Sequence, residues 1–590
     1  MARTWQGAGT ALLKPDYREE QTEGTSPKIT YRAARSGGNK LVFEAMLPGA
    51  GPVTAPVEDV VGGDRHGVSF LVRLHSIGGA KLLRAPLIET RFLHSTRENA
   101  LVLSPGFPNE KPASYETALG RALSPSFEKK CLDCHGQPAS SGGGGGIACE
   151  DCHGAGRAHL EAVAAGHPHD GITNPAKSEG ARAMPACSQC HSGFAAVSDP
   201  IPDDLLISNQ VNALKNSECF VQSAGGIRCT NCHDPHEDSP RVASKSVQTC
   251  LGCHSARVER HAALCPVNRE SGCIGCHMPE ATKGSFRMVD HWIRVHPEQG
   301  AAAPAQRSTE WRSRVRPARE FLRIIVTEDA GKAAQARERL LKNDSFFDVA
   351  RELSTDPSAM AGGFLGEMHL DAMDKQLADA AAALEPGELT PVIDSGTRHI
   401  VLQRLPRDFR DQAAELYRQA SALRTQGKIE AAAAKCDLAL RIYPQFLRAL
   451  IFLGSVYGQN GDAQRAAGIL EYAVRLYPND ASAEYNVALA YEAWGRTADA
   501  IAAYRRALEV EPDLVPAYEN LGAALYSQGQ PENAIEMYRQ GLQVNPLAAV
   551  LYYNIGTIRR EQGDNAQAKQ WIDVARKIDP EFVAKQEGAR

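Results

Sequence analysis

The chain has 590 residues, with 70 acidic against 65 basic side chains and a formal net charge of −5. That balance gives no electrostatic reason for nucleic acid to bind, and the length allows about three or four domains. No apolar run reaches the ~18 residues of a membrane-spanning helix. Of the 15 cysteines, all but Cys219, Cys265 and Cys436 fall into one recurring motif.

The opening "MARTWQGAGTALLKP" lacks the apolar stretch and small-residue cleavage site of a secretory signal. From there to about residue 120, short runs such as "KLVFEAML" and "VSFLVRL" alternate with glycine and proline turns. They predict a small β-rich lobe.

Residues 121–297 are thin in aliphatic side chains and carry C-x-x-C-H six times: Cys131-Cys134-His135, Cys149-Cys152-His153, Cys187-Cys190-His191, Cys229-Cys232-His233, Cys250-Cys253-His254 and Cys273-Cys276-His277. The spacing is that of c-type haem attachment. Two thiols add to the vinyl groups on one porphyrin edge, and the adjacent histidine reaches the iron from one face. A redox dithiol would need one copy, and zinc knuckles would not demand a histidine after every pair. The segment is therefore expected to be a hexahaem domain of loops and short helices, with six covalently attached haem c groups supplying the apolar volume that its side chains lack. Attachment of this kind is extracytoplasmic chemistry, so a periplasmic or other extracytoplasmic location is expected. A truncated or misassigned start would reconcile this with the opening residues.

A linker, "PEQGAAAPAQRS", covers about residues 298–312. Residues 313–407 follow with "FLRIIVT", "FDVARELSTDPSA", "GGFLG", "LEPGELTPV" and "HIVLQRL". These pieces resemble the parvulin (PpiC) type of peptidyl-prolyl isomerase. The resemblance implies an α/β domain whose pocket grips a proline ring and stabilises a twisted amide, with His399, Asp356 and Met373 as its catalytic residues. The chain departs from the family elsewhere: Arg323 stands where the opening-strand histidine belongs, Leu377 replaces a phenylalanine, Phe364 replaces the acid of G-G-D-L-G, and Thr397-Arg398 adds a residue before His399.

Residues 408–590 repeat. Glycines at 427, 461, 495, 529 and 563 and prolines at 444, 478, 512, 546 and 580 both step by a constant 34 residues, and alanines at 432, 466, 500, 534 and 568 hold the close-approach position of a helical hairpin. The period resembles the tetratricopeptide repeat, five units whose concave face is expected to take a peptide or protein segment. Cys436 falls inside a predicted helix as a packed thiol.

Six proximal histidines leave the opposite faces of the irons to be filled. "CHGAGRAH", "CHDPH", "GGDRHGVSFLV" and "VDHWIRVH" place His159, His236, His66 and His291 as the expected distal ligands; His75, His94, His167, His169, His261 and His296 are the further histidines. These stretches, with "NSECF" and "CHMPEAT", resemble the multihaem cytochrome c family that includes the carrier of electrons from hydroxylamine oxidation and, more distantly, the pentahaem nitrite reductases. There, such histidines ligate neighbouring haems. No C-x-x-C-K motif is present, so the nitrite reductase hallmark is missing. Cys219 and Cys265 are close enough in sequence to pair in an oxidising compartment, with free thiols or a thiolate ligand as alternatives.

The chain thus reads as multidomain α+β: a β-rich lobe (1–120), a loop-and-helix multihaem domain (121–297), the linker, a parvulin-like α/β domain (313–407) and a C-terminal α-solenoid of helical hairpins (408–590). The expected function is electron transfer to redox partner proteins, with the last two modules binding polypeptide. The alternatives are an oxidoreductase with one open iron acting on a small nitrogen or sulfur compound, and an active peptidyl-prolyl isomerase.

Overall fold

The computed structural model describes residues 18–23, 29–36, 40–46, 53–63, 67–95, 98–104, 118–129, 156–167, 187, 210–215, 217, 220, 227–233, 242–254, 273–283, 286–291, 293, 319–406 and 408–588. It divides into two compact units. One holds residues 1–195, 202–303 and 511–590; the other holds 196–201 and 304–510.

In the first unit the expected β-rich lobe is an antiparallel sheet. Strands β1 (Arg18–Glu23), β2 (Ile29–Ser36), β3 (Lys40–Met46), β4 (Val53–Gly63) and β5 (Gly67–Arg73) form a meander; β6 (Ser76–Ile77) and β7 (Ala80–Lys81) make a small ribbon; and β8 (Leu87–Ser95) pairs with β5, β9 (Ala100–Leu103) and β10 (Gly120–Ala122). Alternation sorts the side chains. Ile29, Tyr31 and Ala33 on β2 and Leu41, Phe43 and Ala45 on β3 are buried, and Phe43 lies 6.4 Å from Tyr31 and 6.0 Å from Phe70 between ring centres.

The segment that carries the C-x-x-C-H motifs adds short elements: α1 (Gly156–Ala164), α2 (Gln210–Lys215), α3 (Cys229–Cys232), α4 (Val242–His254), α5 (Cys273–His277) and the hairpin β11 (Glu280–Lys283)–β12 (Phe286–Val289). The expected linker at 298–312 lies outside the described residues.

In the second unit, β13 (Arg319–Thr327), β14 (Phe364–His369), β15 (Ile393–Ser395) and β16 (Arg398–Arg404) form an antiparallel sheet in the order β14-β13-β16-β15. Helices α6 (Ala330–Leu341) and α7 (Phe346–Leu353) cover one face through Ala336, Leu340, Phe346 and Val349 packed on Ile325 and Val401. Helix α8 (Lys375–Ala383) covers the other through Ala378 and Ala381 packed on Ile324, Ile400 and Leu402.

The helical hairpins follow: α9 (Phe409–Thr425) with α10 (Ile429–Ile442), α11 (Leu447–Gln459) with α12 (Ala463–Leu476), and α13 (Ala481–Ala493) with α14 (Thr497–Val510). The hairpins α15 (Val515–Ser527) with α16 (Pro531–Val544) and α17 (Ala549–Glu561) with α18 (Asn565–Ile578), then a closing helix α19 (Pro580–Gly588), belong to the first unit. All five turn glycines take positive φ, between 71° and 85°, a conformation open to glycine at little steric cost. The five alanines predicted for close approach are all buried.

Residues 511–590 cluster with the β lobe because polar contacts tie them together: the Leu83 N–H donates to the Tyr552 hydroxyl at 3.3 Å, the Ser124 hydroxyl donates to Asp513 at 2.6 Å, and Arg84 reaches the end of α16. Sequence periodicity sees the repeat but not what docks on it.

Candidate functional site

On a helix, positions i, i+3 and i+4 share one side. C-x-x-C-H written on a helical turn therefore sets two thiols and an imidazole along one edge, which is what a planar group held at two points and ligated from one face requires. The structure writes the last three motifs in this way. The fourth is α3 with His233 just past its end, the fifth is the C-terminal turn of α4, and the sixth is α5. His233 leaves the helix in extended conformation (φ −109°, ψ 136°) while its N–H still donates to the Cys229 carbonyl at 2.8 Å. The Thr249 hydroxyl, next to Cys250, donates to the Asn231 carbonyl at 2.8 Å and ties α4 to α3.

Three stretches distant in sequence meet around the fourth motif. Val211 and Leu214 on α2 form a small apolar nest with Phe220, Ile227, Ile293, Cys187 of the third motif and Cys229 of the fourth. The Cys187 and Cys229 thiols hydrogen-bond to each other; that bond draws Cys187 down to about 7, and the same bond together with burial pushes Cys229 up. The third stretch is the segment after β12. The His291 and His233 rings stand 6.0 Å apart between centres with planes 23° from parallel.

His291 is held from behind. Its Nδ1 lies 2.8 Å from the Val289 carbonyl oxygen, which makes Nδ1 the protonated nitrogen and Nε2 the unprotonated one. The buried Ser217 hydroxyl accepts from the Ile293 N–H at 2.8 Å and lies 3.4 Å from the His291 carbonyl oxygen. Asp290 N–H donates to the Pro279 carbonyl at 2.9 Å, which fixes the same segment to the end of the sixth motif.

The remaining sequence candidates are placed as follows. His159 is half-buried on α1, His167 is exposed beyond it, His75 is exposed after β5, and His94 is buried near the end of β8, paired with Val68 and Leu101. Cys131, Cys134, His135, Cys149, Cys152, His153, Cys190, His191, His66, His236, His169, His261, His296, Cys219 and Cys265 lie outside the described residues, as do the side chains of Cys253 and His254.

The isomerase-like pocket departs from expectation in its assembly. His399, at the start of β16, has Nδ1 2.6 Å from Asp394 Oδ1 across the tight β15–β16 turn; Asp394 is a partner that sequence reading missed, although "DSGTRH" spells a hairpin. Strand alternation puts His399 on the same face as Val401, the α6/α7 side. Met373 packs against the cluster on the α8 side. Asp356 is occupied as a helix cap: its Oδ1 accepts from the Ser358 N–H at 2.8 Å and from the Ser358 hydroxyl at 2.5 Å, opening the short 3-10 turn Pro357–Ala361.

Arg323 fills the place of the absent histidine and is buried, 7% exposed. Its Nη2 donates to the carbonyls of Arg441 (2.5 Å) and Ile442 (2.7 Å) at the C-terminus of α10, and its guanidinium lies 5.8 Å from the Phe346 ring centre. Burial pushes it down to about 10, so it stays charged at neutral pH. Phe364, in the place of the family acid, packs on Phe409 and Tyr443 of the first helical hairpin, 6.3 and 5.8 Å between ring centres.

Comparison with known proteins matches the isomerase-like domain and the repeats. Residues 327–405 match the PPIC-type PPIase domain, and residues 493–529 and 515–546 match tetratricopeptide repeats. The peptidyl-prolyl cis-trans isomerase pin1 of Schizosaccharomyces pombe is 42% identical over 79 residues, 13% of this chain and 45% of that protein. The dissimilatory sulfite reductase MccA of Wolinella succinogenes is 24% identical over 218 residues, 30% of this chain and 28% of that protein. The crystal structure of MamA superposes at TM-score 0.26 and 24% identity over 29% of this chain and 97% of its own. The chain spans less than half the length of these curated relatives. It carries a PPIC-type peptidyl-prolyl isomerase domain joined to tetratricopeptide repeats.

Proposed function

We propose that this chain is a hexahaem c-type cytochrome that passes electrons between protein partners outside the cytoplasm, with its isomerase-like domain and repeats serving to bind polypeptide. The observation that carries the reading is the His233–His291 pair beside Cys229 and Cys232. The two rings stand 6.0 Å apart between centres, a spacing that would leave room for one metal ion between two imidazoles. The haem would supply a one-electron iron centre; every other element of the site belongs to the chain. Cys229 and Cys232 would attach the group, and His233 and His291 would ligate its iron. The Val289 carbonyl would orient His291. An iron held by two protein imidazoles would favour electron relay over substrate chemistry.

Full-length protein from an export-competent host should carry the mass of six haems beyond the bare polypeptide and give a wholly low-spin ferric spectrum. His291→Ala should convert about one haem in six to high spin without changing the mass increment. Colourless protein of bare mass refutes the reading. The likeness to MccA favours a second reading, an oxidoreductase acting on a small sulfur compound, and a high-spin signal in the unmodified protein would select it.

A further inference from the structure

Two arginines from unrelated parts of the chain land on the same feature of the repeat. In the second unit Arg323, on the central strand β13, donates to the carbonyls of Arg441 and Ile442, the last two residues of α10. In the first unit Arg84, in the turn before β8, donates from Nε to the Gln543 carbonyl at 2.8 Å and from Nη2 to the Val544 carbonyl at 3.2 Å, the last two residues of α16. Gln543 and Val544 stand three repeat lengths beyond Arg441 and Ile442. The two acceptors are therefore the equivalent carbonyl pair of the second helix in the first and fourth repeats.

The physical logic is the same at both. The last carbonyls of a helix have no partner within it and carry the negative end of its dipole. A guanidinium matches them: Arg84 meets its two acceptors with Nε and Nη2, Arg323 meets its two with the N–H groups of Nη2, and in both the charge complements the dipole. Each arginine is oriented from its own side. Arg84 is held by Glu128 (Nη1 to Oε2, 3.2 Å) and by the Leu123 carbonyl (2.8 Å); Arg323 is held by the ring of Phe346. Apolar contacts surround the second-unit contact: Phe364 and Leu405 share one buried cluster with Phe409, Tyr443 and Phe446. Beside it, Arg441 bonds Asp348 on α7 at 2.6 Å.

We propose that the C-terminal carbonyl pair of the repeat's second helix is a recurring socket for arginine, by which the helical array docks its own flanking domains, and that the isomerase-like domain has given its catalytic-histidine position to this socket and serves as the end cap of the array. Solenoids need such caps, since a terminal repeat cannot cover its own apolar face. The inference stands on contacts within each unit and is independent of the haem reading.

The test is hydrogen exchange by segment on the full-length, haem-loaded protein. Arg323→Ala should raise exchange about tenfold in β13 and at the end of α10, the loss of one charged bidentate contact, and leave α13 unchanged. Arg84→Ala should do the same at the end of α16 and in residues 82–88, leaving α11 unchanged. Arg323→Lys and Arg84→Lys should lose nearly as much, because an ammonium on a flexible stem does not hold its N–H groups in the fixed plane of a guanidinium; these variants keep the charge and decide the matter should an alanine variant not fold. Unchanged exchange at either socket, or full replacement of arginine by lysine, overturns the proposal.

Discussion

Phe364→Ala tests whether the isomerase-like domain and the first helical hairpin form one folding unit. Phe364 is 4% exposed and lies among Leu405, Phe409, Ala413 and Tyr443. Truncating a buried phenylalanine to alanine costs about 3–5 kcal/mol, and the two aromatic pairs lost with it place this site toward the upper end. Against a total stability of about 5–15 kcal/mol that is a large fraction. For a unit of about 150–250 residues each kcal/mol moves Tm by about 2–4 °C, so scanning calorimetry of the full-length protein should show the transition of the second unit fall by about 6–20 °C. Because the ring is shared, the strands and α9–α10 should lose structure together. Phe364→Leu, which keeps most of the volume, should recover all but about 1.5 kcal/mol. A folded alanine variant within about 2 °C of the parent, or one in which the hairpin's transition is unmoved, would refute the shared core.

Gly522→Ala should destabilise, against helix propensity. Alanine is the better helix former by about 1 kcal/mol, but a Cβ at 522 would stand 2.3 Å from Tyr538 Cε1, and overpacking of that kind costs about 1–3 kcal/mol. A rise in the urea midpoint would contradict the packing argument. Cys436 gives a pH dependence: burial pushes its thiol up to about 12, against about 8.5 in an unfolded chain. The neutral thiol's contribution is whole below the unfolded value and is lost as pH climbs toward the folded one. The stability advantage of the parent over Cys436→Ala should therefore shrink by about 2 kcal/mol between pH 7 and 10, and an unchanging difference across that range would count against it.

The features most legible in the sequence were those whose chemistry or geometry forces a local spacing. The six C-x-x-C-H motifs stand out by their fixed spacing, and the series from Gly427 to Gly563 follows from a turn that needs positive φ once per hairpin. The matches at 327–405 and 493–546 bear out the parvulin-like domain and the repeats. What the sequence hid was long-range. Nothing near Arg323 says that its partners are the carbonyls of Arg441 and Ile442, and nothing near Arg84 points to residues 543 and 544. His291 was legible as a candidate ligand, but its pairing with His233 needed the β11–β12 hairpin and the Ser217 contacts to bring two remote segments together.

The cluster joining Phe364 and Leu405 to Phe409 and Tyr443 has a practical corollary for anyone who wishes to excise this domain. The stretch matching the isomerase family stops at residue 405, yet the side chains that shield its outer aromatic patch come from residues 409–446. A fragment cut at the family boundary would bare Phe321, Phe364 and Leu405 to water and self-associate through them. One extended through Phe446 would carry its own lid and stay dispersed.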